Sequence, residues 1–174
     1  MGVDFFDLED FDEEEFKQDL QLVLEFYRSE GFRDAEIIRD SLSYSPEKKD
    51  MFIDIWVHEG EQYTIGKITW EGNKLYPNAV LASKLQFAEG DVYNSLEIKQ
   101  AVGERLGSMY YNAGYIYSTV NPVERPRGEN IVDLHFSVVE GDAVKINKIM
   151  ITGNTKTQEK VIRRELFIRP GDTF

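Results

Sequence analysis

The chain has 174 residues, a net charge of −12 and no cysteine, with 41% hydrophobic and 30% charged residues. The acidic balance lacks the basic footprint that nucleic-acid binding requires and disfavours docking on anionic lipid. The absence of cysteine excludes thiol redox pairs and thiolate metal sites. Nine Tyr and eleven Phe supply more apolar surface than a disordered chain carries, so a packed core is expected.

In chain order, "FDLEDFDEEEF" (6–16) reads as a solvated approach to a helix whose first turn is acidic, which suits the helix dipole. The helix runs over 12–30, with Asp12 and Glu15 as a cap pair and Gly31 closing it. Phe16, Leu20, Val23 and Tyr27 form its apolar side. A strand follows from Ala35 to Ser41, then another in which Met51, Ile53, Ile55 and Val57 face one way. The next strand covers 63–71, but its alternation slips between Ile65 and Ile68. Ile65 is therefore assigned to a joint, with the strand proper starting near Lys67.

Gly72-Asn73 makes a turn, and a short helix is expected over 77–86 with Pro77 as its first residue. Gly90-Asp91 turns into a longer helix over 95–112, with Asn94 and Glu97 at capping-box spacing. Gly103 and Gly107 inside it point to close packing, and Gly114 caps it. Strands over 116–124 and 131–139 follow, joined by a hairpin loop. Pro122 makes the first of them an edge. Val132, Leu134, Phe136 and Val138 alternate cleanly in the second.

The chain repeats itself. At an offset of 81, "EGEQYTIGKITWEGN" (59–73) lies on "EGDAVKINKIMITGN" (140–154), without a gap to the end of the chain. "FYRSEGF" (26–32) lies on "MYYNAGY" (109–115) at an offset of 83, the difference being assigned to loop length. One module of order β-α-α-β-β emerges: a three-stranded sheet covered on one face by two helices. Residues 1–60 carry the C-terminal α-β-β part of a preceding module, 61–141 a complete module, and 142–174 the β-α start of a following one. The chain is expected to be a piece of a longer protein, since Met1-Gly2 shows no leader pattern and the last module is unfinished.

"IGKITWEGN", "INKIMITGNTKTQEKVIRREL", the Gly-Asp turns and the helix ends "YRSEGF" and "YYNAGY" resemble the POTRA (polypeptide-transport-associated) domain of outer-membrane β-barrel assembly proteins. The resemblance runs from about Phe11 to the end. It implies an α+β fold of tandem β-α-α-β-β units with mixed sheets, in the periplasmic part of an outer-membrane protein. Unfolded outer-membrane proteins, accessory lipoproteins and neighbouring POTRA units are the partners implied, with no catalysis and no cofactor. Two-partner secretion and translocation-assembly transporters share the module. A spacer that binds nothing is the contrasting possibility.

Sheet edges offer unpaired backbone groups to an extended segment. The candidate edges are Ile116, Tyr117, Ser118, Thr119, Val120 and Asn121 in the complete module, and Ala35, Glu36, Ile37, Ile38 and Arg39 in the preceding part. Pro122 in one, and Arg39 with Asp40 in the other, could instead protect them. Gly72, Asn73, Gly90, Asp91, Gly153, Asn154, Gly171 and Asp172 are read as turn-makers, and Trp56 and Trp70 as packing residues. His58 and His135 have no companion at metal-ligand spacing, and no nucleophile elbow, P-loop or dinucleotide motif occurs, so no metal, cofactor or catalytic residue is expected. The incomplete modules at the two ends have complementary apolar sides, which makes pairing between chains possible.

Overall fold

The computed structural model describes residues 11–173; the acidic stretch before Phe11 lies outside the described residues. The elements are α1 (Glu13–Ser29), β1 (Glu36–Tyr44), β2 (Met51–His58), β3 (Thr64–Glu71), α2 (Asn78–Ala82), α3 (Ser95–Gln100), a π-helical segment (Ala101–Leu106), α4 (Gly107–Asn112), β4 (Thr119–Arg127), β5 (Ile131–Val139) and α5 (Glu159–Arg164). β1 and β2 form a two-stranded sheet; β3, β5 and β4 form a three-stranded one in that order. β3 and β5 run parallel, since Thr64 N–H reaches the Asn130 carbonyl at one end and Gly72 lies against the Val138 carbonyl at the other. The three-residue link from β4 to β5 makes that neighbour antiparallel, so the sheet is mixed.

Backbone packing divides the chain into two compact units. One holds the described residues through Ile68 with Phe87–Lys99 and Glu124–Leu134. There, α1 starts at Asp12, whose carboxylate accepts the N–H groups of Glu14 and Glu15. The β1–β2 hairpin carries a bulge between Ile37 and Arg39, so nine residues oppose eight. The other unit holds Thr69–Gln86, Gln100–Val123 and His135 onward. Its largest fully buried side chains are Tyr110, Phe136, Leu81 and Leu106, and Trp70 stacks on Phe136 with ring centroids 4.5 Å apart. Val132, Leu134, Phe136 and Val138 are buried and the residues between them are not, as the alternation requires.

Several elements depart from the sequence pattern. β3 begins at Thr64, three residues before Lys67, because Ile65 pairs its backbone with the Gly90-Asp91 turn. α2 is only Asn78–Ala82, with Pro77 as its extended cap rather than its first helical residue. β4 starts at Thr119; Ile116 and Tyr117 form a turn closed by Ser118 N–H to the Tyr115 carbonyl at 3.0 Å.

The long helix forms over Ser95–Asn112, with Asn94 Oδ1 accepting the Glu97 N–H at 2.8 Å. A π-helical turn interrupts it where Gly103 sits. A Cβ at Gly103 would meet nothing within 4 Å, so close packing is not its role. Asp12 to Gly31 spans 19 residues and Asn94 to Gly114 spans 20, and the π turn absorbs the extra one. Residues 147–152, aligned with β3, form no strand, since none of the described residues pairs with them; Arg163 instead donates to the Ile149 carbonyl at 2.8 Å.

Candidate binding edges and the Arg33–Glu124 cluster

A polar cluster gathers Gly31, Arg33, Asp34, Gln62, Tyr63, Tyr93 and Glu124. After α1, Gly31 takes φ +99°, and its carbonyl accepts the Tyr63 N–H at 2.9 Å. A Cβ on Gly31 would lie 2.7 Å from Val92, so the approach needs glycine. Arg33 Nε donates to Glu124 at 2.8 Å, and the Tyr93 hydroxyl donates to the other oxygen of the same carboxylate at 2.7 Å. The Tyr63 hydroxyl donates to Asp34 at 2.7 Å, and Arg33 also pairs with Asp34 and lies over the Tyr63 ring. Gln62 donates to the Glu30 carbonyl and Lys99 pairs with Glu25.

Burial, with Glu124 accepting its proton, pushes the Tyr93 hydroxyl far above its usual value. The bond to Asp34 raises Tyr63. Burial works against the Arg33 charge, but Glu124 and Asp34 more than offset it.

The backbone part of this arrangement recurs near Gly114. Val144 N–H donates to the Gly114 carbonyl at 2.9 Å, as Tyr63 does to Gly31. The positions of Arg33, Asp34, Gln62 and Tyr63 are taken there by Ile116, Tyr117, Ala143 and Val144. None of those side chains carries a charge, and Tyr117 is 74% exposed. Sequence comparison could have found this: the four polar residues fall at repeat positions whose partners are Ile, Tyr, Ala and Val.

The turn motifs do parallel work in both copies. Gly72 and Gly153 take φ +85° and +82°, and Asn73 and Asn154 each donate to a carbonyl three residues on, those of Tyr76 and Thr157. Asp91 and Asp172 each accept the N–H three residues back, from Ala88 and Arg169, both at 2.7 Å, beside Gly90 and Gly171 at φ +96°.

A second recurring device escaped sequence reading. Tyr27 is raised by burial and by its bond to Glu59, and Tyr110 donates to Glu140 at 3.1 Å. These are the Tyr of "FYRSEGF" and "MYYNAGY" and the Glu of the repeated Glu-Gly.

Of the candidate edge residues, Thr119, Val120 and Asn121 lie in β4, and Glu36, Ile37, Ile38 and Arg39 in β1. Ile116, Tyr117 and Ser118 precede the strand, and Ala35 precedes β1 and is buried at 2% exposure. Both strands stand at the side of their sheet, with one flank unpaired among the described residues. Ile38 is the bulged residue. Trp56 is no core residue: 38% exposed, it lies under Arg39, whose guanidinium is 3.7 Å from the ring centroid. On the outer side of β5, His135 bonds Thr69 and Glu71, and Asp133 accepts the Lys67 N–H at 2.6 Å and pairs with Arg127.

Residues 63–141 and 144–174 match the POTRA family, described as surface antigen variable number repeat. The chain belongs to that family. It is 35% identical over 161 residues to the outer membrane protein assembly factor BamA of Neisseria meningitidis serogroup B, covering 90% of this chain and 20% of that protein. A putative outer membrane protein assembly factor of Treponema pallidum is 28% identical over 171 residues, covering 94% and 20%. The chain thus spans about a fifth of the length of these relatives. The crystal structure of Haemophilus influenzae BamA POTRA3-5 superposes with a TM-score of 0.66 at 23% identity, over 91% of this chain and 63% of that one. That likeness shows the shared POTRA fold.

Proposed function

We propose that this chain is a periplasmic POTRA region of an outer-membrane protein assembly factor, and that it captures unfolded outer-membrane protein segments, and accessory subunits, by strand addition. It does so without catalysis. Residues 1–60, 61–141 and 142–174 act as the end of one module, a whole module and the start of a third. The observation that carries the reading is that β1 and β4, like β2 and β3, each have one flank unpaired among the described residues. An added strand satisfies those groups through its backbone, which suits a carrier of many sequences. Family membership supports the setting. Among the described residues no helix is long and apolar enough to cross a membrane, and no cluster of metal-type ligands occurs.

A second reading, a spacer that orients a barrel and captures nothing, draws on the bonded cluster around Arg33 and Glu124. Titration of the isotopically labelled chain with a synthetic peptide of about ten residues, alternating apolar and polar as in a barrel strand, separates the two. Saturable amide shifts along an edge strand support capture. Their absence at millimolar peptide supports the spacer.

A further inference from the structure

We propose that the two candidate edges, β1 and β4, are not equivalent: the outer flank of β1 is receptive, and β4 is closed by Pro122 and Pro126. This rests on the capture reading and narrows it to one edge and one kind of partner.

The β1 flank follows from its hairpin. Ser45 N–H donates to the Asp50 carbonyl at 2.9 Å, so 45 and 50 are a hydrogen-bonded pair. Alternation then turns Ser43, Ser41 and Arg39 toward β2. The N–H and C=O groups of Tyr44, Leu42 and Asp40 face outward. All three positions keep their donors, and the run is bounded by the bulge at Ile38 and the loop at Ser45.

β4 differs. Pro122 and Pro126 are four residues apart, so both turn to the same flank. An edge strand tolerates proline only with its nitrogen on the open side, since a nitrogen toward β5 would break the ladder. The open side of β4 is therefore Val120, Pro122, Glu124 and Pro126, and every second donor is missing. The Glu124 side chain is held by Arg33 and Tyr93, which leaves its backbone N–H as the one outward donor between the two prolines. Proline on an edge is a recognised guard against strand addition.

The partner that β1 fits is short and patterned. Six residues, Arg39 to Tyr44, lie between bulge and loop. Leu42 and Tyr44 are 38% and 56% exposed on one side of the strand, with Ser41 and Ser43 on the other. An extended segment with bulky apolar residues at alternate positions, small polar ones between, and no acid opposite Asp40 matches that surface.

The test uses the labelled chain and a spin-labelled synthetic peptide of about six residues, a common strand length, alternating Val and Ser. Broadening of the Asp40, Leu42 and Tyr44 amides, with Val120 and Glu124 spared, is expected. Leu42→Pro removes the central donor and should weaken binding roughly tenfold, as losing one or two backbone hydrogen bonds does. Pro122→Thr with Pro126→Thr restores the missing donors without touching β1 and should add a second set of broadened amides along β4. Broadening centred on Val120 and Glu124 in the unmodified chain overturns the edge choice while leaving capture standing. No gain at β4 in the double variant overturns the role of the prolines. No broadening anywhere at millimolar peptide overturns capture itself, and this proposal with it.

Discussion

One carboxylate oxygen of Glu140 accepts three donors: the N–H groups of Lys74 and Leu75 at 2.8 Å and the Tyr110 hydroxyl at 3.1 Å. It ties the Gly-Asn turn to the end of α4. Removing the acceptor leaves those donors short of partners, so Glu140→Ala should cost about 3 kcal/mol in urea unfolding, and Glu140→Gln, which still accepts, about half that. Gly72 has a related constraint: a Cβ there would lie 2.1 Å from the Val138 carbonyl oxygen, at a φ of +85°. Gly72→Ala should therefore cost roughly 3 kcal/mol, combining backbone strain with overpacking. Gly153→Ala, with no neighbour within 4 Å, should cost less.

Titration sets the limits of stability at both ends of the pH scale. The Lys67 N–H, with Arg127, holds Asp133 below its ordinary 3.8. A depressed acid stabilises the fold above its unfolded value, and that contribution is lost as pH falls through the folded one. Thermal unfolding below about pH 4 should thus be steeper for the native chain than for Asp133→Asn. Tyr93 and Tyr110 are raised above 10.0, chiefly by burial. Their contribution is complete below pH 10 and falls above it, because only the unfolded chain then releases the protons. Alkaline unfolding should shift upward in Tyr93→Phe.

At the scale of elements, the backbone bonds at Gly31 and Gly114 are alike, and the residues beside them differ: Arg33, Asp34, Gln62 and Tyr63 against Ile116, Tyr117, Ala143 and Val144. Tyr63 and Val144 each donate to the preceding glycine carbonyl at 2.9 Å, but only the first bond is enclosed by Arg33, Asp34, Tyr93 and Glu124. Arg33→Ala should speed hydrogen exchange at Tyr63 roughly tenfold and leave Val144 unchanged. Equal exchange before and after the substitution would show that the backbone bond alone sets the rate. These positions also mark where the sequence was hardest to read. The slip at Ile65 looks like the end of a strand pattern, yet its backbone pairs with Gly90 and Asp91, a contact set by a turn about 25 residues downstream and not by local alternation. The π turn in the long helix was hidden because the offset of 83 at the helix end reads equally well as extra loop length. Strand β5 was fully legible because both its periodicity and its burial arise locally.

At the scale of the molecule, the mixed α+β fold was legible in the repeated strand–turn–helix pattern. The same bonds recur at the same repeat positions, from the Gly-Asn turns to the Gly-Asp turns. The edges were readable only in outline. Pro122 marked β4 as an edge, but which groups point outward depends on hairpin pairing, and the bulge at Ile38 divides the β1 candidate in two. Function at this scale turns on whether an edge accepts a strand. The most direct measurement is the NMR titration of the chain with an alternating apolar–polar peptide. The account predicts saturable shifts along β1, centred on Asp40 to Tyr44. A spectrum unchanged at millimolar peptide would contradict it and leave the chain as a spacer.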